Sequence, residues 1–114
     1  MNKNATIQFN GKEYDVVFNL NVMQAIQDEY GTLEAWGRLT DGSNGEPNAK
    51  AVIFGFREMI NEGIDIRNYE WNEDEPYLTL KQVGRLISEV GFSNATFILN
   101  KTVIESTQSA EKNA

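Results

Sequence analysis

A chain of 114 residues with 10 Lys+Arg against 17 Asp+Glu, and with neither Cys nor His, has room for a single hydrophobic core. The missing Cys and His exclude disulfides, thiol nucleophiles, zinc sites built on thiolate or imidazole, and an imidazole general base. A net charge of −7 opposes association with nucleic acid or anionic lipid, both of which require clustered Lys and Arg, so the expected partner is a protein, with no nucleic acid and no membrane. The apolar content of 40%, with 11% aromatic, is enough to fill a core. No stretch approaches the roughly 20 apolar residues that span a bilayer. Met1-Asn2-Lys3-Asn4 leads into Thr6-Ile7-Gln8-Phe9 rather than an apolar signal segment, so the chain is expected to stay in the cytoplasm where it is made. Asn4-Ala5-Thr6, Asn94-Ala95-Thr96 and Asn100-Lys101-Thr102 match the glycosylation sequon, but in a chain with 13 Asn such matches arise by chance.

The pattern predicts an α+β fold in which an N-terminal β-hairpin packs on a mainly helical bundle of four to five helices. Asn10-Gly11 is the favoured pair for a two-residue type I′ turn, because both central residues need φ > 0. That turn sets Phe9 opposite Lys12, Ile7 opposite Tyr14 and Ala5 opposite Val16. These residues then share one face with Phe18, and helices must cover it, since two strands alone are marginal in water. Leu20, Met23, Ile26 and Tyr30 recur at helical spacing, with Asn21 and Gln24 placed as a cap pair and Gly31 as the stop. Thr32 can cap a second helix through Leu33, Trp36 and Leu39, followed by an exposed and mobile loop over 41–47. A third helix starts at Asn48, carries Val52, Ile53, Phe56, Met59 and Ile60 on one stripe, and is expected to be the most buried helix, stopping at Gly63. No period holds between Ile64 and Leu78, which reads as a connection or small hairpin. Thr79 and Gln82 form a capping box for a helix through Leu80, Val83, Ile87 and Val90 that ends at Gly91. Ser93 can start a last helix, whose apolar residues Phe97, Ile98, Leu99, Val103 and Ile104 spread over more than one face, as in a helix that packs on two sides or on a partner. The domain is expected to cover residues 1–105, with 106–114 a flexible polar tail.

Charge is concentrated in one place. Glu58, Glu62, Asp65, Glu70, Glu73, Asp74 and Glu75 stand against Arg67 alone, so seven acids and one base give −6 of the total −7 between residues 58 and 75. Such a run reads first as a solvated surface; its functional reading is a face that steers a basic partner, or an acidic mimic of DNA that blocks a nucleic-acid-processing enzyme of the host. Asn72, Glu73, Asp74 and Glu75 carry oxygen ligands, but their spacing fits no calcium loop, and no metal is expected. Paired carboxylates could split a glycoside only if they flanked a cleft, which nothing in the spacing requires. There is no P-loop, dinucleotide fingerprint or Gly-x-Ser-x-Gly elbow, so neither a cofactor nor an enzymatic activity is expected. Trp36, Tyr69, Trp71 and Tyr77 are either interface anchors or core residues. Spacing with Leu33 and Leu39 favours core for Trp36, while Trp71, in its acidic surroundings, fits both readings. Tyr69, Trp71, Phe97, Ile98 and Ile104 are the candidate partner-binding residues, and Phe97, Ile98 and Ile104 are also candidates for closing a homo-oligomer.

Four segments carry a family resemblance. Ile7-x-Phe9-Asn10-Gly11-Lys12-x-Tyr14 runs into Asn19-Leu20-x-x-Met23-x-x-Ile26-x-x-x-Tyr30-Gly31, followed by Phe56-x-x-Met59-Ile60-x-x-Gly63 and Thr79-x-x-x-Val83-Gly84-x-x-Ile87. Across roughly residues 5–105 this order resembles the tail assembly chaperones of long-tailed bacteriophages, from phages and prophages of Gram-positive hosts. The resemblance implies a non-catalytic protein of the host bacterial cytoplasm that coats the tape-measure protein, keeps it soluble, recruits tail-tube protein and is absent from the mature virion. In many relatives a programmed frameshift adds a C-terminal extension, and the polar end after Ser106 would suit the short form. The family has no catalytic residues to carry over. The role fits the residues physically, because unassembled apolar stripes on a long helical polymer aggregate unless covered, and covering them needs apolar surface rather than a nucleophile.

Overall fold

The Asn10-Gly11 turn and the strands around it form as their spacing dictates. The computed structural model describes the backbone of residues 5–112 and the side chains of residues 5–108. Strands β1 (Ala5–Phe9) and β2 (Lys12–Val16) pair antiparallel, with Ala5 opposite Val16, Ile7 opposite Tyr14 and Phe9 opposite Lys12. Asn10 and Gly11 both take positive φ, 54° and 73°, as a type I′ turn requires. Five helices follow: α1 (Leu20–Tyr30), α2 (Leu33–Thr40), α3 (Ala49–Trp71), α4 (Leu80–Val90) and α5 (Phe92–Lys112). The architecture is therefore a two-stranded hairpin on a helical bundle.

Helix α3 is the centre of that bundle. It supplies Ala51, Val52, Phe56, Met59, Ile60 and Ile64 to one continuous core, which Ile7, Val16 and Phe18 enter from the hairpin side. Val22 and Ile26 of α1, Trp36 of α2, Val83, Leu86 and Ile87 of α4, and Ala95 and Leu99 of α5 complete it. Trp36 is fully enclosed, and its indole N–H donates to the Ala51 carbonyl at 3.0 Å, which satisfies the ring's one polar group. Two glycines let neighbours approach α3. A Cβ on Gly55 would lie 2.4 Å from the Trp36 ring, and one on Gly63 would lie 2.8 Å from the Asp15 backbone carbonyl. Beside Gly63 the chain leaving β2 hydrogen-bonds to the helix, the Val17 N–H donating to the Met59 carbonyl at 3.3 Å.

Several boundaries differ from the sequence-based expectations. The cap of α1 is Asn19, whose side chain accepts from the Val22 N–H, rather than Asn21. Leu20 at the first helical position is exposed, because it sits roughly 120° around the helix from the direction shared by Val22, Ile26 and Tyr30. Gly63 does not stop α3. It lies mid-helix, where the absence of a side chain admits the hairpin, and the helix runs on to Trp71 before Asn72, at φ 53° and ψ 43°, ends it in the left-handed conformation. The segment expected as an irregular connection from Ile64 is thus helical through Trp71. Helix α5 starts at Phe92, directly after the Gly91 corner, rather than at Ser93. The polar stretch from Ser106, expected as a tail, continues α5 to Lys112; residues 1–4 of the expected domain and 113–114 of the expected tail lie outside the described residues. Thr32, Asn48, the Thr79–Gln82 capping box and Gly91 stand where expected.

Candidate functional site

The acidic stretch is organised by asparagine. Between Asn72 and Thr79 the chain is extended and antiparallel to α3, and two side chains seven residues apart on α3 hold it there. Asn68 donates to the Glu75 carbonyl at 3.0 Å and accepts from the Glu75 N–H at 3.0 Å. Asn61 does the same for Leu78, at 3.0 Å and 2.8 Å. Each carboxamide thereby imitates a β-ladder partner and satisfies a backbone N–H and C=O that the extended chain would otherwise leave open. Side chains at a spacing of seven lie on one face of a helix, so Asn61 and Asn68 meet the same returning segment.

Four of the seven acids in this region are engaged within the molecule. Glu58 pairs with Arg57 at 2.8 Å, and Glu75 pairs with Lys12 from the hairpin. Glu62 accepts from Asn19 at 2.6 Å and from Asn21 at 3.1 Å, while Asp65 accepts from the Tyr77 hydroxyl at 2.6 Å. That bond, made to a carboxylate, raises the Tyr77 phenol above its usual pKa of 10.0. Glu70, Glu73 and Asp74 enter no ion pair among the described residues. They neighbour Tyr69 and Trp71 in sequence at the end of α3, where the two aromatics, two residues apart, point about 200° from each other. Tyr69 is 89% exposed and Trp71 69% exposed. Both are therefore surface aromatics, as is Tyr77, in contrast to Trp36 in the core.

The second candidate region lies on α5, about a helix with two apolar faces. Leu99 and Ala95 are buried in the core, and Ile98 and Val103 pack partly buried against it. Phe97, 67% exposed, and Ile104, 53% exposed, face the other way. Ile98 is thus separated from the two residues it was grouped with. Phe97, Lys101 and Ile104 line one wall of an open groove of about 660 Å³, whose other wall is Thr40, Asp41 and Pro47 at the end of α2 and in the following loop. The Lys101 ammonium lies 5.9 Å from the Phe97 ring centre. Asn100 joins the two walls, donating to the Thr40 carbonyl at 3.0 Å. On the α2 side the Asp41 carboxylate accepts from the Ser43 N–H at 2.8 Å, a bond that lowers its pKa and fixes the first turn of the loop. Asn48 closes the loop by donating its N–H to the Leu39 carbonyl at 2.7 Å.

No group of three or more carboxylates among the described residues is placed to hold a metal ion. Between α1 and α3, Asn19 and Asn21 both donate to the Glu62 carboxylate. No helix among the described residues is long and apolar enough to cross a membrane. What the two regions offer chemically is exposed apolar and aromatic surface flanked by charge. No family model matches the chain, and comparison with curated proteins and with solved structures finds no significant match.

Proposed function

We propose that the chain is a phage tail assembly chaperone: a non-catalytic protein that binds the tape-measure protein in the host bacterial cytoplasm, keeps it soluble, helps recruit tail-tube subunits and leaves before the virion is complete. The observation that carries this reading is the α5 groove, where Phe97 and Ile104 stand exposed beside Pro47 although the same helix already buries Ala95 and Leu99 in the core. A helix that has satisfied its own domain and still presents large apolar side chains has surface to lend to another polypeptide. An open groove beside a helix accepts the apolar stripe of a helical client, with anchors one to two turns apart. Phe97 and Ile104 are seven residues apart and supply that spacing on the chaperone's side. The order of motifs described above supports the same family.

The test is co-expression with a long tape-measure protein from the same genome. The soluble fraction of that protein is expected to rise several-fold, and Phe97→Asp with Ile104→Asp is expected to abolish the gain without unfolding the chaperone, since both side chains are exposed. A tape-measure protein equally insoluble with and without this chain would overturn the reading.

A further inference from the structure

Three places in the chain set an Asn or Asp before a glycine: Asn10-Gly11, Asp41-Gly42 and Asn44-Gly45. At such a pair the glycine nitrogen, with no side chain to shield it, can attack the side-chain carbonyl carbon of the residue before it and close a five-membered imide. The structure separates the three. Asn10 and Gly11 are the central residues of the hairpin turn, at φ 54° and 73°, and the pairs Phe9–Lys12 and Ile7–Tyr14 hold them there above the buried Ile7. Reaching the geometry of attack rotates the Asn10 backbone out of the turn and opens the hairpin from its closed end. Asp41 is restrained chemically. Its carboxylate accepts from the Ser43 N–H at 2.8 Å, which lowers its pKa and keeps it ionised, and a carboxylate is a poor target for a nucleophile.

Asn44 has neither restraint. It lies in the exposed stretch 41–46, and its carboxamide makes no hydrogen bond among the described residues. Gly45 is open to approach, since a Cβ added there would meet nothing within 4 Å. One backbone bond restrains the turn, the Gly45 N–H donating to the Gly42 carbonyl at 3.1 Å. Its two ends are glycines at φ 83° and 107°, residues with a wide choice of backbone angles.

We propose that Asn44 is a self-modification site, converted in the folded protein to aspartate and isoaspartate ahead of the other two pairs. The Gly45 nitrogen bonds to the Asn44 Cγ, and the side-chain nitrogen leaves as ammonia, carrying the proton that Gly45 gave up. Water then opens the imide: hydrolysis at the side-chain carbonyl gives aspartate, and hydrolysis at the backbone carbonyl gives isoaspartate. Either product adds one negative charge to a loop that already carries Asp41 and Glu46, and isoaspartate also lengthens the backbone by one carbon. Asp41 and Pro47 form one wall of the α5 groove, so the age of a folded molecule is recorded beside that groove. The chemistry belongs to the chain alone and stands whether or not the chaperone reading does.

Peptide mapping tests it. The chain is held at pH 8 and 37 °C and cut with trypsin, and peptides 4–12 and 39–50 are followed by mass spectrometry with fragmentation that tells isoaspartate from aspartate. In the folded protein Asn44 should gain about one mass unit at least tenfold faster than Asn10, because reaction follows local opening and the loop opens more readily than the hairpin. In 6 M guanidinium the two should react at similar rates, since glycine follows both; this comparison uses the parent chain alone. Asn44→Gln, at an exposed position, should keep the parent's far-UV circular dichroism and lose the gain, because the six-membered imide that Gln requires closes far more slowly. Equal rates at Asn10 and Asn44 in the folded protein, isoaspartate at Asp41 before Asn44, or an Asn44 that stays intact in the folded protein while the unfolded chain reacts would each overturn the inference.

Discussion

The two halves of α3 are held by different physics. From Ala51 to Ile64 the helix is enclosed, with Val52, Phe56, Met59 and Ile60 removed from solvent and Trp36 and the hairpin closing on Gly55 and Gly63. From Asp65 to Trp71 no residue is buried; the helix is continued by its own backbone ladder, by the Asn68 clamp and by a left-handed Asn72. The first half is a packing problem solved by shape, and the second is a hydrogen-bonding problem solved by amides. One helix can therefore anchor a domain at one end and offer a free aromatic surface at the other.

If shape governs the first half, the largest loss should come from the largest side chain enclosed against it, Trp36 of α2. Trp36→Ala is expected to cost about 3–5 kcal/mol, measured by urea unfolding, because it removes an indole with no exposed surface and leaves the Ala51 carbonyl without its side-chain donor. A loss below about 1 kcal/mol would show that α2 is peripheral and break the contrast. Gly63→Ala comes next. In a free helix the change stabilises by roughly 1 kcal/mol, but here the new methyl meets the Asp15 backbone at 2.8 Å and must push the hairpin outward. A net destabilisation of about 1–3 kcal/mol is expected, in the range of core overpacking, and a stabilised variant would mean that the hairpin is not seated on α3.

The same contrast decides what could be read from the sequence. The hairpin register, the Thr32, Asn48 and Thr79 caps, and the core position of Trp36 follow from neighbours within a few residues, so turn chemistry and period suffice to find them. Gly63 is ambiguous at that range: a glycine after an apolar stripe is the signature of a helix stop and equally of a close approach, and only the position of β2, nearly 50 residues earlier, decides between them. Asn61 and Asn68 carry no local signal of being clamps, because their partners Leu78 and Glu75 lie across a reversal of the chain. The acids were visible as a cluster, but not their pairing with Lys12 and Tyr77. Of the candidate partner residues, Tyr69, Trp71, Phe97 and Ile104 are exposed, while Ile98 belongs to the partly buried rim of the core.

For the second half of α3 the expected effects are smaller and local. Asn68→Ala removes both hydrogen bonds to Glu75 and should cost about 1–2 kcal/mol in global stability, the net worth of two partly exposed bonds. Its sharper readout is amide exchange. The Glu75 N–H should lose protection in this variant while amides near Phe56 keep theirs, since the clamp and the core open separately. Equal loss at both places would mean that the two halves of α3 form one cooperative unit.

The smallest effect concerns a fault packed against the first half of α3, at Tyr30 of α1. Tyr30 stacks edge-on against Phe54 with ring centres 5.5 Å apart, and its hydroxyl is buried with no hydrogen-bond partner among the described residues. A buried hydroxyl left unpaired opposes folding, so Tyr30→Phe should leave stability unchanged or raise it by up to about 1 kcal/mol. Titration separates this from a general packing gain. Burial, with the nearby Glu29 charge, raises the Tyr30 pKa above 10.0, because both disfavour the phenolate. The unfolded chain then ionises first: the contribution of this group is complete below pH 10 and is lost as pH rises from there through the folded-state value. Alkaline destabilisation should accordingly be shallower in Tyr30→Phe than in the parent. Tyr77 is also shifted upward, by its bond to Asp65 at the surface, so Tyr77→Phe serves as the comparison that removes a raised phenol from the unpacked half instead. If the two variants flatten the alkaline limb while only Tyr30→Phe keeps or gains stability at neutral pH, the division of α3 into a packed and a bonded half holds at the level of single hydroxyls; a clear loss from Tyr30→Phe at neutral pH would place an unrecognised polar contact in the packed half.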